Sequence, residues 1–317
     1  MKKLGYVLMF LFLGSVVNAQ QLPLNNQYLI NPYSLSPAYA GINGGVESFM
    51  TYRQYWLGVP GATRVEMLNI NGPIGNKYGI GAELMSEQTG IFKSFSLLTT
   101  FAYHLDISPK SSLSFGIKSG IIRNRIDFTS ANTQDMSDPF FANNDDLSLF
   151  TFETGFGALY RYDKLNIGFS VPRLLENQMM NSNNDVVYTL RNHSVIHAFY
   201  SFSLNGNMEL APYFVLRSTA NSMIFDGALM FKYKGKLWAA PTYRGDGTMS
   251  FSFGGALYEK VAMNYSYEFG GSGMAGRSSG THEISLGLQI GKKNLKPNSP
   301  TIFRTTAAQP YHEWIEE

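Results

Sequence analysis

The chain has 317 residues, a formal net charge of +2, 15% charged and 14% aromatic residues, and no cysteine. Without cysteine there are no disulfides, no Cys-based metal sites and no lipid-anchored cysteine at a processing site. The near-neutral balance argues against a nucleic-acid surface, while low charge with many aromatic residues suits a wall that faces lipid.

At the start, Lys2 and Lys3 precede the apolar run Leu4 to Leu13, and Val17-Asn18-Ala19 sets small residues before Gln20. This is the order of a secretory signal, and the run is too short to span a bilayer as a helix. Residues 1–19 are therefore expected to be removed near Ala19-Gln20. No other segment approaches eighteen uninterrupted apolar residues. A membrane location would then require a closed barrel, because lipid leaves unpaired strand edges unsatisfied.

Residues 20–44 read as a lead-in. Asn31-Pro32 and Ser36-Pro37 force extended, non-helical backbone. The segment is expected on the periplasmic side, immediately before the first upward strand. There Tyr33 and Tyr39 plug or line the barrel mouth, or the segment merely sets the entry angle of that strand.

From Val46 an alternation of period two takes over. Strands are predicted at Val46–Trp56, Ala62–Asn71, Tyr78–Met85, Phe92–Leu105, Leu113–Ile126, Ser148–Tyr162 and Leu165–Val171. The second half continues with Asn192–Leu204, Glu209–Arg217, Ile224–Tyr233, Leu237–Tyr243, Met249–Ala256, Val261–Phe269 and Thr281–Gly291. The fourth puts Phe95, Leu97, Thr99, Phe101, Tyr103 and Leu105 on one face. The fifth opposes Leu113, Phe115, Ile117 and Ile121 to Ser114, Gly116, Lys118 and Gly120, and the sixth opposes Phe152, Phe156 and Tyr160 to Glu153, Gly155, Gly157 and Arg161. The small and polar sets are expected to look inward. Tyr52 and Trp56 are expected near the external end of the first strand, in an aromatic girdle.

The connections fall into two interleaved classes. The short ones are Gly72–Lys77, Asp106–Ser111, Asp163–Lys164, Asn205–Met208, Lys234–Lys236 and Glu259–Lys260; the other class holds the long ones, Asp127–Leu147, Pro172–Arg191 and Gly270–Gly280. The predicted fold is all-β: a transmembrane antiparallel β-barrel of about 14 strands over residues 45–291, with short periplasmic turns and longer external loops. Residues 292–317 follow as a periplasmic tail. A propeller or a pair of sandwiches would also supply many short strands, but neither predicts this alternation of loop length.

Motifs for chemistry are sparse. Gly271-Ser272-Gly273-Met274-Ala275-Gly276 has the spacing of a dinucleotide loop, but a strand rather than a helix follows, so it reads as a flexible external loop. His193 and His197 share one strand face as lumen or rim hydrogen-bonders rather than metal ligands. Asp135, Asp138, Asn143, Asn144, Asp145 and Asp146 are dense enough in oxygen to hold Ca²⁺, yet they lack EF-hand spacing and read as a solvated loop. The run Gln178 to Asn184 reads likewise. No cofactor or metal is expected.

Several ordered pieces carry a resemblance. They are Asn31-Pro32, Pro37-Ala38-Tyr39-Ala40-Gly41, Tyr52-Arg53 with Trp56 and Gly58, Gly61-Ala62, Leu113-Ser114-Phe115-Gly116 and Gly168-Phe169-Ser170-Val171-Pro172 with Leu174-Leu175. Trp238, Tyr243-Arg244, Tyr265-Ser266-Tyr267-Glu268 and Gly280-Thr281-His282-Glu283-Ile284 continue the order. The chain resembles the PorP/SprF family of the type IX secretion and gliding system of Bacteroidetes outer membranes. It departs at Ser36, Tyr55, Thr63 and Glu268, and in its tail.

The resemblance implies a non-enzymatic barrel that sits in outer-membrane lipid and helps a large, adhesin-like secreted protein to be exported and held on the surface. It also implies contacts with periplasmic, motor-linked lipoprotein components. The motif residues Asn31, Pro32, Pro37, Tyr39, Gly41, Arg53, Trp56, His282 and Glu283 become interaction candidates. For the external partner the candidates are Asp135, Asp138, Asp145, Asp146, Asn181 and Asn184. A passive porin or hydrophobic-solute channel is the principal alternative. An outer-membrane lipase would need a Ser/His pair within hydrogen-bond reach.

Overall fold

The computed structural model describes residues 23–128, 147–180, 186–219, 222–258, 260–271, 277–291 and 300–303. The expected signal and the external loop candidates Asp135, Asp138, Asn143, Asn144, Asp145, Asp146, Asn181 and Asn184 lie outside them, as do Ser272 to Gly276 and most of the tail.

The wall begins with β1 (Val46–Gln54), β2 (Arg64–Ile74), β3 (Tyr78–Thr89), β4 (Phe92–Ser108), β5 (Ser111–Ile126), β6 (Leu147–Tyr162) and β7 (Leu165–Arg173). A small hairpin of β8 (Asn177–Met180) and β9 (Val186–Leu190) stands apart within the next loop. The wall resumes with β10 (His193–Tyr200), β11 (Phe202–Asn205), β12 (Met208–Thr219), β13 (Ser222–Tyr233), β14 (Leu237–Arg244), β15 (Thr248–Tyr258), β16 (Val261–Gly270) and β17 (Thr281–Ile290).

Every wall pairing is antiparallel. β1 pairs with both β2 and β17, and β10 bridges β7 and β12, so the ring closes without an edge. The paired sheet holds 15 strands, of which β10 and β11 are two pieces of one stave parted at Ser201, giving a wall of 14. Closure follows from the sequence: strands apolar on one face cannot leave backbone donors unpaired in hydrocarbon. The β13–β14 ladder lapses between Ala228↔Thr242 and Phe231↔Ala239, where Pro241 has no N–H to give.

The alternation read from the sequence is the wall's inside and outside. On β4, Phe95, Leu97, Phe101 and Leu105 are exposed, whereas Ser96, Leu98, Thr100, Ala102 and His104 are buried. The connection after β1 and those following β5, β7 and β16 are the longer ones, and they share one end of the barrel. At the other end each turn has two or three residues.

Strand one stops sooner than predicted. β1 ends at Gln54, and Trp56 turns away with a positive φ of 42°. It therefore has no place in the row of outward residues that Tyr52 occupies, because the two-residue period ends with the strand.

Candidate functional site

The lead-in runs inside the lumen and leaves a cavity beside it, lined by Ser34 and Leu35 together with Glu83, Lys118 and Arg217 of the wall. Gln27–Leu29, Pro32–Ser34 and Pro37–Tyr39 form three successive 3-10 turns. Pro32 and Pro37 each open a turn, where a missing N–H removes no bond. Ser36 adds a cap, its hydroxyl accepting from the Ala38 N–H at 3.3 Å. The expectation of a periplasmic lead-in gives way to one enclosed by the barrel: Asn26 to Ile30, Ala38, Tyr39 and Ala40 are all buried.

The segment runs the length of the bore. At the long-loop end the Tyr55 hydroxyl donates to the Leu24 carbonyl at 2.6 Å. Midway, Asn31 Nδ2 donates to Asn69 Oδ1 at 2.9 Å and the Tyr33 hydroxyl to Thr100 Oγ1 at 2.7 Å. Farther down, Ser170 Oγ donates to the Leu35 carbonyl at 2.6 Å, and Tyr39 Oη lies 3.0 Å from His197 Nε2. At the short-turn end the Gly41 N–H donates to Asn71 Oδ1 at 2.9 Å, and Asn43 Nδ2 to Glu47 Oε2 at 2.7 Å.

Inward glycines make room for this backbone. A Cβ on Gly79 would overlap the Ala40 carbonyl, one on Gly116 would meet Pro37, and one on Gly157 would strike Ser36 Oγ. Gly41 has a φ of +74°, and a side chain there would press on Gly72 and Gly79. These small inward positions are legible as a set in the sequence; what fills the space in front of them is not.

Near the long-loop end the plug meets an ionic cluster. Arg53 Nη1 donates to Glu283 Oε2 at 2.8 Å and Arg53 Nη2 to Glu268 Oε2 at 2.5 Å. Asp226 accepts from Arg217 Nη1 at 2.6 Å and from Arg244 Nε at 2.9 Å, and Arg244 reaches Glu268 at 3.4 Å. Three guanidinium groups thus meet three carboxylates, so the buried charge balances. The Arg53 guanidinium also lies 4.3 Å from the centre of the Tyr55 ring. The plug joins directly: the Asn26 N–H donates to both Glu283 oxygens, at 3.2 and 3.0 Å, and Asn26 Nδ2 to Glu268 Oε1 at 2.9 Å.

A second insertion comes from beyond β17. Thr301 Oγ1 donates to Glu47 Oε1 at 2.5 Å, and the Phe303 ring packs on Phe49 with centroids 5.9 Å apart.

The candidate residues divide accordingly. Asn31, Pro32, Pro37, Tyr39 and Gly41 belong to the plug, while Arg53 and Glu283 anchor its upper end. Trp56 stands beside Tyr55 with ring centroids 5.9 Å apart, and its backbone N–H donates to Thr281 Oγ1 at 3.3 Å. His282 and Glu283 part company because consecutive strand residues face opposite ways: His282 Nδ1 lies 2.7 Å from the Tyr265 hydroxyl, away from the lumen cluster. Both His193 and His197 are buried on the inner face.

Sequence reasoning missed Asp226, Arg217 and Asn69, and took Arg244 and Glu268 only as motif positions. The signal for the charged four was the recurrence of single charges at inward positions near the same end of the barrel. Among the described residues no group of His, Asp or Glu is arranged to hold a metal, and no helix is long and apolar enough to cross a membrane.

A family model described as the type IX secretion system membrane protein PorP/SprF matches residues 17–288. No curated protein matches the chain. Among solved structures, the chain is similar to the CymD monoaromatic hydrocarbon channel, with 11% identity over 86% of this chain and 94% of that one and a TM-score of 0.49. It is also similar to the Ralstonia pickettii toluene transporter TbuX, with 9% identity over 84% and 94% and a TM-score of 0.48. The translocator domain of the autotransporter NalP from Neisseria meningitidis gives 11% identity over 78% and 88%, with a TM-score of 0.45.

Proposed function

Because the chain belongs to the PorP/SprF family of type IX secretion system membrane proteins, we propose that it is a non-enzymatic, non-conducting outer-membrane barrel that helps export a secreted partner or hold it on the cell surface. The lead-in threaded through the lumen carries this reading. A bore occupied by its own chain from Leu24 to Asn43 leaves the two ends as working surfaces.

The loops between β5 and β6, β7 and β10, and β16 and β17 grip an adhesin-like surface protein in this reading. Asp135, Asp138, Asp145, Asp146, Asn181 and Asn184 are their candidate contacts. Periplasmic, motor-linked lipoproteins meet the short-turn end and the tail other than its buried residues Thr301 to Phe303. The enclosed lead-in is withdrawn from that role, and its motif residues serve to seat the plug.

Deleting the three long loops should release the surface partner while the barrel still inserts, measured by labelling whole cells and recovering the barrel from outer membranes. Retention of the partner by the loop-deleted barrel would overturn the reading. In planar bilayers the intact protein should pass little current. Sustained conductance would favour the passive channel instead.

A further inference from the structure

The turns at the short-turn end carry a charge pattern that the plug and the ionic cluster do not use. Lys77, Lys110, Lys164, Lys234, Lys236 and Lys260 occupy five of its six turns, leaving only Gly206–Asn207 without one. None of the chain's arginines lies in these turns, and the acids among the same turn residues are Asp163 and Glu259. Elsewhere Lys93 lies 3.0 Å from Asp127, and Arg53, Arg173, Arg217 and Arg244 in the lumen pair with carboxylates. Lys77, Lys110, Lys236 and Lys260 are exposed and make no ion pair among the described residues.

Their height on the wall specifies what they meet. Tyr78, Tyr160, Tyr162 and Tyr233 are exposed at the adjoining strand ends, where an aromatic girdle marks the boundary between hydrocarbon and headgroups. The lysines sit just beyond it, so their alkyl stems can lie along the apolar wall while the ammonium groups reach headgroup oxygens. Adjacent turns are two strand spacings apart, roughly 10 Å. Charges at that interval form a ring around the barrel rather than one contiguous patch, which suits a surrounding shell of lipid better than a docked globular protein.

We infer that this lysine ring binds anionic phospholipid headgroups of the leaflet at the short-turn end, selecting the lipid shell and fixing the barrel's depth. Lysine fits the task as a compact point charge that follows a fluid phosphate without demanding a fixed bidentate geometry.

The test places the full-length protein in nanodiscs of phosphatidylethanolamine and phosphatidylglycerol and counts retained lipids by native mass spectrometry. Wild type should retain the anionic lipid at roughly threefold or more over its bulk share, as expected for several lysines near an anionic surface. A variant with all six lysines changed to Gln should fall to the bulk ratio, and the six-fold Lys→Arg variant should keep the enrichment. Added inorganic phosphate at millimolar concentration should leave wild type unchanged, which separates a headgroup within a bilayer from a free anion. Heat-modifiable migration on SDS gels checks that each variant is folded. Equal enrichment in wild type and the Gln variant overturns the inference. So does absence of enrichment in wild type, including the case where the ring instead retains an acidic protein.

Discussion

Along β4 the residues that face out and those that face in differ in how interchangeable they are. Phe95, Leu97, Phe101 and Leu105 need only be apolar and large, because the surrounding lipid adapts to any of them. Thr100 and His104, on the same strand, answer to particular atoms of the plug: the Tyr33 hydroxyl at 2.7 Å and the Ala40 carbonyl at 2.9 Å. One backbone thus carries a tolerant wall and an exacting socket. Sequence constraint concentrates in the second, since there particular side chains meet particular partners.

The sharpest way to break the contrast is Gly79→Leu. Its Cβ would occupy the space of the Ala40 carbonyl, and neither backbone has a rotamer with which to yield. We expect a loss above roughly 5 kcal/mol, or failure to fold with the plug seated. Urea unfolding in lipid vesicles measures it, and bilayer conductance shows whether a surviving barrel has lost its plug.

Next is Arg53→Met, which leaves Glu268 and Glu283 buried with one cation fewer. The expected cost is about 3–5 kcal/mol, and adding Glu283→Gln should cost less than the sum of the separate changes. Additive costs would mean that the two groups do not work as a unit.

Tyr39→Phe removes one hydroxyl from the plug and leaves His197 Nε2 without its partner, at about 1–3 kcal/mol by the same unfolding assay. At the tolerant end stands Gly227→Ala. An added Cβ there meets nothing within 4 Å, and the expected change is within about 0.5 kcal/mol. A large effect at Gly227 would undo the distinction between wall and socket.

The wall was legible because a strand with lipid on one side repeats every two residues, and the repeats at Phe95 to Leu105 and Phe152 to Tyr162 keep that period over many turns of the pleat. The loop classes were legible for a similar reason, since turn residues punctuate the repeat. The plug was not. Its prolines announced extended backbone, which several environments satisfy, and nothing local to Asn31 points to Asn69 or to Thr100 for Tyr33.

The cluster around Arg53 was hidden in the same way. Arg244 and Glu268 are remote in sequence from Arg53, and only ring closure between β1 and β17 brings Glu283 to it. Trp56 shows the opposite failure: a local period was continued past the residue where the strand ended.

The direction in which the plug runs also bears on what its leading end can carry. Its carboxyl end is continuous with β1 at the short-turn mouth, while Leu24 lies at the far mouth beside Tyr55. The ring of strands therefore surrounds a rod of its own sequence, which enters at the short-turn mouth and reaches Tyr55 at the other. A flexible epitope placed ahead of Pro23 would emerge among the long loops and be readable on intact cells. A folded domain in the same place would be too wide for the bore, and would hold the seam open.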